Sequence, residues 1–217
     1  MDHCNEKPCI FLLSPANLSG KRGKSMWGGN ARCELAMTLR DGGAPLGEVF
    51  SFISGLYFRG KLAYARAFAR PPRNAAGVLV ITASRGLMAP DTIVGTEELQ
   101  AMAASSIDER QMSYREPLER DARRLAAKLR GCEVVLLGSV ATQKYVEPLL
   151  GVFGAKLMFP AEFAGRGDMS RGGLMLRAVR ESAPLTYVGV ANSMRHGPRP
   201  AKLPRISNSP LGEKTAV

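Results

Sequence analysis

Five short runs of consecutive apolar residues are spaced along the chain, each flanked by polar or glycine-rich sequence. Continuous runs of this length, without alternation, are typical of parallel strands that are covered on both faces. The runs predict strands at residues 9–14, 77–82, 133–137, 156–159 and 186–191.

Apolar residues at helical spacing occupy most of the sequence between these runs. They predict helices at 46–69 (interrupted at Gly55 and Gly60), 116–130, 141–152 and 170–181, with shorter ones at 31–40 and 96–104. This alternation predicts an α/β fold, a single domain with a mainly parallel, roughly five-stranded sheet flanked by helices. The domain is expected to span residues 1–194. Residues 195–217 are basic and proline-rich, and predict an extended C-terminal arm.

Composition places the chain among globular proteins, since 45% of its 217 residues are hydrophobic and 23% are charged. No apolar run approaches the roughly 18 residues that a membrane span needs. The apolar stretch near the N-terminus is too short for a signal peptide and follows an acidic start, so we expect a cytoplasmic protein without membrane contact.

The charge of the chain is strongly positive and unevenly distributed. The formal net charge is +11, and residues 7–90 hold twelve Lys or Arg side chains but only three acidic ones. A clustered positive field attracts polyanions, or small phosphorylated ligands where it is focused in a cleft. The expected partner is therefore a phosphorylated small molecule or a nucleic acid, although a generally basic surface gives the same total.

The segments that follow the five predicted strands are rich in Gly, Ser, Asn, Lys and Arg. In open α/β sheets, ligands bind at the carboxyl ends of the strands, so these segments predict a common anion-binding site. Glycine lets backbone amides approach an anion, Ser and Asn donate hydrogen bonds, and helix starts favour negative charge. Helix capping and turn formation would account equally for the serines and glycines. The candidate anion-binding residues are Ser14, Asn17, Lys21, Arg22, Arg85, Gly138, Ser139, Lys144, Arg166, Ser170 and Arg171.

Two residues are candidates for chemistry. Asp168 is one of few acids near these segments, and Arg166 and Arg171 favour its ionised form. An ionised carboxylate beside an anion site acts as a base, a nucleophile or a stabiliser of an oxocarbenium ion. The other reading is a salt-bridge partner that orders the arginines. His196 is a candidate general base, or an ordinary residue of the arm.

Familiar motifs are mostly excluded by their spacing. Gly23-Lys24-Ser25 matches the end of a phosphate-binding P-loop, but that motif requires glycine at position 18, where this chain has Leu18. His3, Cys4 and Cys9 fit no standard zinc spacing, so no metal site is expected. The sequence identifies no cofactor.

Two segments resemble the bacterial YaaA-like proteins and related small domains. The segments are GLYFRGKLAYA at 55–65 and SRGLMAPD at 84–91, which match a helix followed by a strand and a GL..PD turn. The resemblance covers residues 14–152, and the segment 159–173 has no counterpart in it. It implies an α/β fold with a basic cleft and a function related to nucleic acids or nucleobases, in protection against oxidative stress. It assigns no catalytic residue.

Three function classes remain open from the sequence. The first is an enzyme that binds a phosphate-bearing ligand and acts on a nucleobase or an N-glycosidic bond. The second is a non-catalytic, YaaA-like nucleic-acid-binding protein. The third, which no residue specifically favours, is a scaffold that binds an acidic protein partner.

Overall fold

Six strands form the central sheet of the protein, in a computed structural model that describes residues 7–28, 31–191, 193–194, 197–198, 200–201 and 203. The order across the sheet is β4-β3-β1-β6-β7-β8, and β2 and β5 form a separate two-stranded ladder. The strands are β1 (Cys9–Leu13), β2 (Ala44–Pro45), β3 (Val78–Ile81), β4 (Leu87–Met88), β5 (Ile93–Val94), β6 (Glu133–Leu137), β7 (Leu157–Pro160) and β8 (Tyr187–Gly189).

The sheet is mainly parallel, as the sequence predicts. Strands β3, β1, β6 and β7 run parallel to one another, and the two edge strands, β4 and β8, are antiparallel. All five predicted strands are present, and β2, β4 and β5 are additional strands of two residues each. The direction of β8 corrects one expectation: Val190, just past β8, donates its N–H to the carbonyl of Leu157 at the start of β7. The chain therefore leaves β8 at the edge opposite the carboxyl ends of the parallel strands.

Eight α-helices in the described residues connect these strands. The break predicted at Gly55 is present, with φ of +60° at that residue, whereas Gly60 lies inside an unbroken helix. The first helix was not expected from the pattern. The helices are α1 (Lys21–Trp27), α2 (Glu34–Asp41), α3 (Leu46–Ser54), α4 (Leu56–Phe68), α5 (Thr96–Ala104), α6 (Met112–Ala126), α7 (Gln143–Phe153) and α8 (Asp168–Arg180).

The core lies on both faces of the sheet. All five residues of β1 are buried, as are four of the five in β6, which explains why these strands lack polar alternation. Helix α4 packs against α8 and against β1 and β3, whereas α6 packs against α7. Right-handed crossovers between the parallel strands place α4 on one face of the sheet and α6 and α7 on the other, and α8 packs beside α4.

The topology contains a switch point between β1 and β6. The connection from β1 runs to β3 on one side, and the connection from β6 runs to β7 on the other. Such diverging connections leave a crevice at the carboxyl ends of the two strands, which is the usual ligand position in open α/β sheets.

The structure describes part of the predicted arm, including Gly197, Pro198, Ala201 and Leu203. The carbonyl of Ala201 accepts a hydrogen bond from Nη1 of Arg166 at 3.4 Å. The division into a domain and an arm at residue 195 stays a prediction.

Candidate functional site

A cleft of about 340 Å³ opens at the switch point between β1 and β6. It brings together five of the residues predicted from the sequence, which are Ser14, Asn17, Ser139, Lys144 and Asp168. They come from the segments after β1 and β6, the start of α7 and the start of α8. Chain segments that are far apart in sequence thus converge at one edge of the sheet.

Ser14 forms the floor of this cleft, one residue beyond β1. Its backbone N–H donates to the carbonyl of Leu137 at 3.1 Å, which continues the pairing of β1 with β6. Its side chain lies so close to Gly138 that a Cβ at position 138 would stand 2.9 Å from the Ser14 Cβ. Glycine at position 138 therefore allows the two segments to meet at the floor of the cleft.

Lys61 lies directly behind Ser14 and is completely buried. Its Nζ is 2.5 Å from the Ser14 carbonyl oxygen and 2.9 Å from the Ser14 Oγ. It also stands over the ring of Tyr57 at 4.4 Å and that of Phe58 at 4.8 Å. The pKa of Lys61 is lowered to about 7, chiefly by burial; Asp168 opposes this shift, and Arg171 adds to it.

Helix α4 carries Lys61 into the core because its buried residues form one continuous stripe. The buried positions on this stripe include Tyr57, Phe58, Leu62, Tyr64 and Phe68, and the lysine stands at its centre. An unpaired charge at such a position is costly, so a buried lysine is an exception that calls for a specific explanation.

Two tyrosines line the cleft beside this pair. The Tyr57 Oη is buried and has no hydrogen-bond partner among the described residues. Burial raises the pKa of Tyr57 to about 12, so its hydroxyl keeps its proton near neutral pH. Burial also raises the pKa of Tyr145, on α7. The Tyr57 hydroxyl is therefore a buried O–H donor close to Ser14 and Arg171, with no hydrogen bond of good geometry in the described residues.

Helix α8 reaches the cleft because it packs unusually closely on α4. A Cβ at Gly60 would lie 2.7 Å from the Gly172 carbonyl oxygen, and one at Gly172 would lie 2.8 Å from the Leu56 carbonyl oxygen. The two glycines let the helix backbones touch. This contact places the first turn of α8 over Tyr57 and Lys61.

Asp168 and Arg171 occupy that first turn. Arg171 is buried, and its Nε and Nη2 donate to the Phe163 carbonyl at 3.2 and 3.1 Å. Its Nη1 lies 3.8 Å from the Asp168 carboxylate, whose side chain is 67% exposed. The carboxylate is thus held at the rim of the cleft by a guanidinium that is fixed mainly by the backbone.

The polar side of the cleft is built by Asn17, Ser139 and Lys144. The Asn17 Oδ1 accepts hydrogen bonds from the Ser19 N–H at 3.2 Å and the Ser19 hydroxyl at 2.8 Å, which orders the segment after β1. The Lys144 ammonium lies 5.0 Å from the centre of the Tyr145 ring. Within the part of the chain that the structure describes, no carboxylate pairs with this ammonium.

The remaining predicted residues do not line this cleft. Arg85 pairs with Glu98, Arg166 bonds the Ser170 hydroxyl at 3.2 Å, and Lys21 and Arg22 are exposed on α1. His196 lies outside the described residues. Of the segment that follows β8, the described Gly197 and Pro198 lie against Gly165, in the connection after β7.

A second cavity of about 250 Å³ adjoins the first and is more apolar in its side chains. The two cavities share Pro15, Ala16, Asn17 and Ile107 in their walls. Phe50 and Met102 also line the second one. A polar cavity therefore stands beside one whose wall is mixed, about half polar and half apolar, with the segment after β1 between them.

Sequence reasoning missed Lys61, Tyr57 and Tyr145. Tyr57 and Lys61 follow no strand, so the rule that located the other residues does not reach them, whereas Tyr145 lies beside Lys144 in the segment after β6 but was not selected as a candidate. One pattern does indicate Lys61: it interrupts an apolar stripe at helical spacing on a helix that is otherwise buried.

Neither metal ligands nor membrane-spanning helices are found in the described residues. No group of three His, Cys, Asp or Glu side chains there is arranged to hold a metal ion, and no helix is both long and apolar enough to cross a membrane. The sequence matches no protein-family model, and no curated protein or solved structure is significantly similar to it. The resemblance to the YaaA-like proteins stays a prediction.

Proposed function

We propose that the chain is an enzyme that binds a phosphate-bearing ligand, a nucleotide or a nucleotide unit of a nucleic acid, in the cleft between β1 and β6. The observation that carries this proposal is the Lys144 ammonium without a carboxylate partner, beside the side chains of Asn17 and Ser139 at a topological switch point. A phosphate group is the ligand that such a set of cationic and hydrogen-bonding groups favours.

The adjoining cavity, which is partly apolar, supports a nucleotide rather than an inorganic anion. A nucleotide has a charged phosphate at one end and a flat, weakly polar base at the other. The polar cavity suits the first, and the cavity lined by Phe50 and Met102 suits the second. Together they match an amphiphilic ligand of this size class.

Asp168 supports reaction at the N-glycosidic bond. Its carboxylate stands at the rim of the polar cavity, whose wall also includes Lys144, Tyr57 and Tyr145. A carboxylate in this setting stabilises the positive charge that develops on the sugar when such a bond breaks. The expected product is a free base, and Asp168→Asn should abolish its release. Asp41→Asn, on the exposed end of α2, is the matched control.

The alternative is a nucleic-acid-binding protein without chemistry. The exposed Lys21, Arg22 and Lys24 on α1 support it, because they place three cations on seven residues of one surface helix. Such a protein would lose affinity steeply with salt, whereas a nucleotide held in a cleft would depend on salt only weakly.

Thermal denaturation of the purified protein with a panel of nucleotides, nucleosides, sugar phosphates and short oligonucleotides tests the proposal. A ligand that binds the native state raises the melting temperature by mass action. We expect a rise with at least one nucleotide, lost in Lys144→Ala and retained in Lys128→Ala, which removes an exposed lysine at the opposite edge of the sheet. Equal responses of the two variants, or no response to any compound, would contradict it.

A further inference from the structure

The contact between Lys61 and Ser14 has a chemical consequence that a structural lysine would not have. Among the described residues, no carboxylate bonds the Lys61 amine, and its two hydrogen-bonded contacts are the carbonyl and the hydroxyl of a single residue. A neutral amine fits these contacts completely. Its Nζ donates to the carbonyl oxygen at 2.5 Å and to the hydroxyl oxygen at 2.9 Å, and in the neutral amine the second contact also forms in reverse, with the hydroxyl donating to the nitrogen lone pair.

The surroundings of Lys61 favour this neutral form. Helix α4 supplies the rings of Tyr57 and Phe58, and β1 supplies only the uncharged Ser14. Helix α8 supplies Asp168 and Arg171, whose charges act on the amine in opposite directions. Because these two charges oppose each other, the burial of the amine has the largest effect on its protonation. The resulting pKa of about 7 leaves a large neutral fraction near neutral pH.

Ser14 and Lys61 have different roles, because only Ser14 is accessible from the cleft. Ser14 lines the cleft, whereas Lys61 has no exposed surface. A bound ligand therefore meets the serine and not the amine. The lysine acts through the hydroxyl in front of it, which is the arrangement of a nucleophile and its general base.

We propose that Ser14 is a nucleophile that takes a phosphoryl group from the bound ligand, with Lys61 as the general base that accepts its proton. This inference rests on the proposed function for the phosphate-bearing ligand, but not on Asp168 or on the N-glycosidic bond. It applies to a phosphate ester, whose phosphorus is the electrophile.

The step balances as follows for a phosphate ester. A bond forms between the Ser14 Oγ and phosphorus, the hydroxyl proton moves to the Lys61 Nζ, and the bond from phosphorus to the leaving oxygen breaks. The leaving oxygen keeps the electron pair and takes a proton from solvent. Water then attacks phosphorus, the Ser14 Oγ leaves and recovers its proton from Lys61, and the remaining proton of the attacking water returns to solvent.

Tyr57 supplies a donor for this step. Its side chain lines the same cavity, and its buried hydroxyl keeps its proton and has no hydrogen-bond partner in the described residues. An O–H in that position stabilises negative charge on the phosphoryl oxygens.

Labelling with a fluorophosphonate tests the nucleophile without any nucleotide. In this reaction the Ser14 Oγ displaces fluoride from phosphorus and its proton passes to Lys61. Peptide mapping should place the label on Ser14 and not on Ser139, which lines the same cleft but has no lysine within hydrogen-bonding distance in the described residues. The rate should rise with pH through about 7 and then level off.

Lys61→Met should slow this labelling by about a hundredfold or more, since a general base contributes at least that factor. Lys128→Met and Ser113→Ala, both at exposed positions, are the controls. Circular dichroism establishes whether Lys61→Met folds. If Lys61→Met does not fold, the pH profile of wild-type labelling tests the proposal instead. A labelling rate that is independent of pH between 6 and 9 would contradict a lysine base. Labelling elsewhere, or at an unchanged rate in folded Lys61→Met, also overturns the proposal.

The phosphoryl group is tested separately with p-nitrophenyl phosphate. Acid quenching should trap phosphoserine at position 14. An adduct formed only with p-nitrophenyl acetate would overturn the phosphoryl assignment. Because neither reagent is a nucleotide, these experiments test the nucleophile independently of the ligand. Labelling of Ser14 in a protein that binds no nucleotide would contradict the proposed ligand but not the proposed nucleophile. Nucleotide binding without labelling of Ser14 would contradict the nucleophile but not the ligand.

Discussion

At the scale of single residues, the cleft is distinguished by polar groups that the fold buries without fully satisfying them. Lys61 has a carbonyl, a hydroxyl and two rings around it, and the Tyr57 hydroxyl has no partner in the described residues. Buried polar groups of this kind reduce stability. Their presence together, at the usual ligand position of the fold, is explained by a function in the cleft.

The depressed pKa of Lys61 makes the stability of the protein depend on pH. Between about 7 in the folded state and the ordinary value of 10.5, the unfolded chain binds a proton that the folded chain does not. The free energy of unfolding should therefore rise with pH, by about 1.4 kcal/mol per pH unit from this group alone. Urea denaturation of wild type and Lys61→Met from pH 7 to 8.5 measures the difference. A constant difference over this range would show that Lys61 does not titrate there.

Tyr57→Phe should leave stability unchanged or raise it by about 1 kcal/mol, because it removes a buried hydroxyl without a partner. Tyr114→Phe is the matched control, since the Tyr114 hydroxyl donates to the Lys144 carbonyl at 2.8 Å, and its loss should lower stability by about 1 kcal/mol. Chemical denaturation measures both. A larger loss in Tyr57→Phe than in Tyr114→Phe would contradict the assignment of Tyr57 as a free donor.

At the scale of elements, the site depends on how closely α4 and α8 pack. The contact at Gly60 and Gly172 brings the first turn of α8 to the side chains of α4. Two helices with larger residues at these positions would stand farther apart. Asp168 and Arg171 would then move away from the buried pair.

Gly172→Ala should therefore destabilise the protein by about 1–3 kcal/mol, as overpacking does, and slow the labelling of Ser14. The adjacent Gly173→Ala is a close control. A Cβ there meets only the end of the Leu203 side chain, at 3.8 Å, so the better helix propensity of alanine should stabilise by about 0.5–1 kcal/mol. Similar effects of the two substitutions in thermal denaturation would show that the helix contact is not tight.

The apolar pattern predicts elements better than it predicts their directions. The run at 186–191 has the composition of a buried strand, and nothing in that composition distinguishes β8 as antiparallel. The rule that ligands bind after strands assumes that all strands end at one edge; Ser14 and Ser139 do line one cleft, whereas the chain leaves β8 at the other edge. Lys61 was missed for a different reason, since its position depends on long-range packing of α4 against β1.

At the scale of the whole molecule, the sheet order sets the place of the cleft, and the charge sets what enters it. The connections diverge between β1 and β6, and the segments that meet there carry Lys144 but only one carboxylate, that of Asp168, in the lining. The net charge of +11 adds a long-range attraction for anions. Both features favour a phosphate-bearing ligand at this edge.

Salt dependence separates the cleft from the basic surface. A nucleotide bound in the cleft should lose little affinity between 50 and 200 mM salt, whereas a protein with six or more phosphate contacts loses about a thousandfold or more. Isothermal titration with the stabilising nucleotide and with an oligonucleotide that contains it measures both. Steep and equal salt slopes for the two would favour binding by the exposed cations of α1.

Protection of Ser14 from the fluorophosphonate by the stabilising nucleotide tests most directly whether this cleft is the ligand site. Our account predicts that labelling falls with nucleotide concentration and is half suppressed near the dissociation constant measured by titration. A nucleotide that stabilises the protein and leaves the labelling rate of Ser14 unchanged at saturation would show that it binds elsewhere, and would contradict the assignment of the cleft between β1 and β6.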